Sequence, residues 1–168
     1  LIDLNKVNFL QEKKSTFILK TIKKYLKSFS KKNIPNKVKL IYYNKSFALV
    51  PNDLFDDKNS LNYLKYNTRI QINDLAANDL ILEDQINNVY IPYTDINNYI
   101  FEKFKAFDFY HYSSVLLEKL SNELTDNFSQ KVFLNINNSF IDILYFKNKQ
   151  LIFFNSFDYK SKEDILYY

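Results

Sequence analysis

None of the 168 residues is glycine, and this absence limits the accessible folds and sites more than any motif that is present. Glycine is the residue that turns the chain freely through positive φ and lets a ligand phosphate lie against backbone amides. Phosphate-cradling loops of the P-loop and dinucleotide-binding kinds are therefore unavailable in their standard form. Composition offers a plain cause, since Asn, Lys, Ile, Tyr and Phe are abundant while Gly, Ala, Arg, Pro and Trp are scarce or missing. Under such a bias Asn, which enters left-handed conformations most easily among the remaining residues, is expected to fill the turns.

The clearest periodicity lies between Lys131 and Tyr168. Three β-branched and aromatic runs are separated there by Asn137-Asn138 and Asn148-Lys149, breaks short enough for tight hairpins. The spacing predicts an antiparallel three-strand meander. Phe140, Asp142, Leu144 and Phe146 point one way and Ile141, Ile143 and Tyr145 the other, so one face of the middle strand is almost wholly apolar. Ser161, Glu163 and Asp164 then mark a helix start, with a capping hydroxyl and carboxylates where the helix dipole favours them. A meander feeding a helix is how a ribonuclease-H-like unit begins. The chain opens on Leu1 and stops one turn into that helix, so it reads as an interior piece of a longer polypeptide.

With 46% hydrophobic and 18% aromatic residues the chain holds enough apolar surface for one or two small cores, and it reads as a soluble globular protein. No charge-free run approaches the about 20 residues of a membrane helix, and no signal-peptide pattern opens the chain. The expected compartment is the cytoplasm. Zero cysteine removes disulfides, thiolate nucleophiles and cysteine-based metal sites.

Taken in order, Leu1 to Phe9 alternates weakly like a strand, and Ser15 or Thr16 to about Phe29 is helical, with Ile18, Ile22, Tyr25, Leu26 and Phe29 on one stripe. Val38–Tyr43 reads as a strand, turned by Asn44-Lys45 into a second run, Ser46–Val50, that Pro51 stops. Short helical pieces follow from Asp53 to Tyr66. Arg69–Leu75 and Val89–Ile91 are strand candidates, with Asp79–Asp84 as an acidic connection. Thr94 is placed to cap a helix to Phe104, Phe107–Tyr110 to form a short strand, and Ser113 or Ser114 to open a helix with Val115, Leu116, Leu120 and Leu124 inward. Apolar content dips at Thr125–Gln130, the expected boundary between a first unit, residues 1–126, and a second, residues 131–168.

Charge is unevenly spread. Leu1 to Lys45 carries twelve lysines against two acids, while the remainder holds eleven basic and seventeen acidic residues. Lys20, Lys24, Lys27 and Lys31 form a stripe on the first helix, a candidate partner face for nucleic acid, an acidic membrane surface or an acidic protein. The plainer reading is a solvated helix face. Base-reading surfaces favour Arg, of which this chain has only Arg69, and no aromatics interleave with these lysines.

From Phe47-Ala48-Leu49-Val50-Pro51 and Leu54-Phe55 onward the chain resembles a bacterial family catalogued as domain of unknown function 3822. The likeness continues through Tyr63-Leu64-Lys65-Tyr66-Asn67, Asp79, Val89-Tyr90-Ile91-Pro92, His111-Tyr112-Ser113, Leu151, Asn155-Ser156-Phe157 and Glu163-Asp164-Ile165-Leu166-Tyr167-Tyr168, in consistent order over about Ser46 to Tyr168. The resemblance implies an α/β, actin-like ATPase fold of two ribonuclease-H-like units side by side, the second truncated here. Val38–Pro51 and Arg69–Pro92 would then include the small inserted subdomain of the first unit. In nucleotide-binding relatives the turn after the second unit's first strand holds an Asp and a Gly that meet phosphate and magnesium. The matching positions here are Asn135 and Asn137. An amide is neutral and cannot hold a magnesium-bound water as an anion does.

Single residues raise other chemistries. Asp142 and Asp158, on neighbouring strands, are candidate metal ligands for nuclease work, but read more simply as an exposed strand position and a strand end. His111, the only histidine, would need an orienting carboxylate to act as a general base; Asp108 is near in sequence, and a buried, hydrogen-bonded role beside a helix start is the expectation. The aromatics Tyr90, Tyr93, Tyr99, Phe101, Phe104, Phe107, Phe109 and Tyr110 read as core rather than a ligand pocket; Tyr167-Tyr168 reads as core too, or as an exposed, sticky end if the chain is truncated. Together these readings predict a non-catalytic scaffold or interaction module with inactive phosphate-turn positions at Asn135 and Asn137, without cofactor or metal, and with an unknown protein partner. The alternatives are an atypical nucleotide-binding switch and a nucleic-acid-associated protein using the lysine face.

Overall fold

The computed structural model describes residues 15–27, 35–124, 128 and 130–167. The expected first helix is α1 (Ser15–Leu26), in which no residue is fully buried. It lies against a later helix, where Lys23 sits over the Tyr99 ring at 5.1 Å. The strand expected at Leu1–Phe9, as well as Phe29 and Lys31, lie outside the described residues.

After α1 come β1 (Lys39–Tyr42), β2 (Phe47–Pro51), two single 3-10 turns at Asn52–Leu54 and Asp57–Asn59, α2 (Ser60–Leu64), β3 (Ala77–Ile81), β4 (Ile86–Tyr90), α3 (Thr94–Phe104), β5 (Asp108–His111), α4 (Tyr112–Asn122), β6 (Gln130–Ile136), β7 (Phe140–Lys147), β8 (Gln150–Asp158) and α5 (Lys162–Tyr167). β1 and β2 are consecutive yet separate at Asn44-Lys45 into different sheets. β1 pairs in parallel with β5, while β2 pairs antiparallel with β4, whose other edge takes β3.

Three expectations need correction here. No strand forms over Arg69–Leu75; the strand lies at Ala77–Ile81, and Asp79 sits within it rather than in an acidic connection. The β3–β4 turn is Leu82–Gln85, where Leu82, Glu83 and Asp84 all have positive φ and the Glu118 carboxylate accepts from the Leu82 amide at 2.5 Å. Thr94 is the first helical residue of α3 rather than its cap: Tyr93 takes the cap position without a side-chain bond. In α4 the cap is His111, two to three residues earlier than expected; Leu116, Leu120 and Leu124 pack inward as expected, while Val115 turns outward at 42% exposure and Leu117 is fully buried.

The meander β6-β7-β8 forms with the expected strand order. A register shift between Tyr145 and Phe146 leaves Ile152 as an extra residue on β8. That bulge changes the side-chain parity of β8, so Leu151 and Phe154, three apart, both reach the same core. The core joins Ile81, Leu82, Leu117, Leu124, Leu144 and Phe146, binding the β3–β4 hairpin, α4 and the meander together. The opposite face of the β2-β4-β3 sheet is covered by α2, through Val50, Leu64 and Val89. In α5, Leu166 and Tyr167 are each 86% exposed, so Tyr167 takes the exposed alternative rather than the core one; Tyr168 and most of Thr125–Gln130, the expected unit boundary, lie outside the described residues.

Candidate functional site

The Asn135–Asn137 turn is where the structure and the sequence reading meet. Asn135 stands opposite Asp142 in the β6–β7 ladder, and Asp142 opposite Ser156 in the β7–β8 ladder. Asp142 is fully buried, which corrects the expectation of an exposed strand position. A buried carboxylate is tolerated only when its lone pairs are met. Tyr112 donates to its Oδ1 at 3.1 Å, Ser156 to the same oxygen at 2.5 Å, and Asn135 Nδ2 to Oδ2 at 2.8 Å. Burial, and then the Asp142 charge, push the Tyr112 phenol well above its ordinary value, so it remains a donor.

Asn137 is held from both sides. The Tyr43 hydroxyl donates to its Oδ1, and the Tyr159 hydroxyl to its backbone carbonyl. The Tyr43 ring packs on Tyr112 at 4.3 Å and on Phe140 at 5.7 Å. Lys45 pairs with the exposed Asp158 at the end of β8. Asp142 and Asp158 therefore serve separate partners, and among the described residues no group of three or more His, Asp or Glu side chains is placed to hold a metal ion.

A second polar cluster sits behind the first turn of α4. Asp79 Oδ1 accepts from Tyr90 at 2.9 Å, and its Oδ2 accepts from the His111 amide at 2.9 Å and Ser114 Oγ at 2.5 Å. Asn88 Nδ2 donates to Ser113 Oγ at 2.8 Å and Ser114 Oγ at 2.7 Å. Ser113 Oγ in turn lies 2.7 Å from His111 Nδ1, and the Ser113 amide points at the same nitrogen, which makes Nδ1 the acceptor. His111 Nε2 is buried with no hydrogen-bond partner. Burial lowers the imidazole pKa to about 3, and the nearby Asn44 carbonyl opposes this only in part. Ser113 and His111 have no accessible surface, so their contact is a helix cap enclosed in the core, and the carboxylate near His111 is Asp79 rather than Asp108, which pairs with Lys37 at 3.6 Å.

Three residues of α4 thus join the clusters: Tyr112 reaches Asp142, while Ser113 and Ser114 reach the Asn88–Asp79 side. Sequence reasoning missed Asp79, Asn88, Ser113 and Ser114 as a unit. The available signal was His111-Tyr112-Ser113-Ser114, four consecutive polar-tipped residues that are all buried where an apolar strand meets a helix. Of the expected aromatic core, Tyr90 is buried against Tyr42 and His111, but Phe101 is 57% exposed. Lys20, Lys24 and Lys27 are exposed on α1.

Residues 4–168 match the family described as protein of unknown function (DUF3822). The chain belongs to DUF3822. This DUF3822 chain also matches a crystal structure from Bacteroides thetaiotaomicron VPI-5482, described as a protein with actin-like ATPase fold and unknown function. The TM-score is 0.78 at 20% identity, over 89% of this chain and 59% of that one, so the DUF3822 chain spans about 59% of the solved protein's length. At such identity the likeness concerns the fold, a mixed α/β architecture of the actin-like ATPase kind. No curated protein matches the chain.

Proposed function

We propose that this chain is a non-catalytic scaffold or interaction module, built from two ribonuclease-H-like units over residues 1–126 and 131–168. In this reading protein side chains occupy the turn that meets phosphate in nucleotide-binding relatives. The observation that carries it is the fate of Asn135 and Asn137. Asn135 spends its amide on a buried carboxylate, and Asn137 is tied by Tyr43 and Tyr159. A phosphate would have to displace these bonds and would meet the Asp142 charge behind them, where like charges repel in a medium of low dielectric. With no glycine near by, backbone amides cannot crowd in to compensate.

Calorimetric titration of the full-length protein with ATP and magnesium tests the reading, together with a thermal-shift series. The expected result is no binding and no magnesium-dependent rise in melting temperature. Micromolar, magnesium-dependent ATP affinity would overturn the scaffold reading and establish a nucleotide switch using atypical loops.

A further inference from the structure

We draw no further inference here: the strongest candidate, the polar cleft between the start of α1, the loop of residues 68–74 and the start of α3, sets the exposed Arg69 beside Asp74, whose carboxylate is spent on the Gln71 amide, and Asp95, whose unpartnered Oδ2 is closed off from solvent, so it selects no class of ligand and nothing in the structure shows what fills it.

Discussion

Asp142 is a charged side chain with no accessible surface, and it dictates what its neighbours do. Tyr112, Ser156 and Asn135 all turn a donor toward it, so one Asn135 amide hydrogen is committed to the buried carboxylate. His111 is the complementary case, a base held neutral by its surroundings. Its pKa, lowered to about 3 from an ordinary 6.5, means the unfolded chain takes up a proton before the folded one as pH falls. Stability is therefore unaffected by this group above pH about 6.5 and declines by up to ~1.4 kcal/mol per pH unit between there and about 3. Urea denaturation measured at intervals from pH 7 to 4 should show that slope, and His111→Gln should flatten it. An equal slope in the variant would mean that the carboxylates alone carry the acid sensitivity.

At the level of the element, the hairpins show how a chain without glycine turns. Asn148 and Lys149 join β7 to β8 with φ of 53° and 63°, the left-handed pair of a two-residue turn. Asn accepts that conformation cheaply and Lys does not. Lys149→Gly should therefore raise stability by about 0.5–1 kcal/mol, read as a shift in urea midpoint at unchanged slope. A destabilised variant would show that the Lys149 stem packs on the sheet. The meander was legible because period-two alternation and polar breaks are local signals. Asp142 was not, because both faces of β7 are buried and alternation cannot say which polar residue has partners. β3 was misplaced for a related reason: Asp79 reads as part of an acidic connection until Tyr90, His111 and Ser114 supply its bonds from elsewhere in the chain. In α4 the leucines of the inward stripe were legible from helical spacing, but the start of the helix was not, because the capping side chain is the histidine itself, a residue outside the usual capping set.

On the scale of the whole molecule, Lys20 and Lys24 lie on α1, which packs against α3, and Lys27 directly follows it. No helix among the described residues is long and apolar enough to cross a membrane. The exposed Lys20, Lys24 and Lys27 are surrounded by solvent rather than by an aromatic platform or an arginine fork, so they are expected to be a solvated face. Retention on immobilised RNA or DNA at about 150 mM salt should be negligible and unchanged by Lys20→Gln, Lys24→Gln and Lys27→Gln together. Salt-steep retention abolished by those changes would instead make α1 a polyanion site.

The bonds at Asn137 reach further than one turn. Tyr43 and Lys45 come from the corner between β1 and β2, while Asn137 and Asp158 come from the meander, so these two parts of the chain are joined by side chains of the protein itself. A nucleotide-driven machine keeps time because its fastener is spent and replaced. On the scaffold proposal, a molecule fastened by its own tyrosine and lysine would keep a fixed shape, and a partner would read that shape without waiting for a clock.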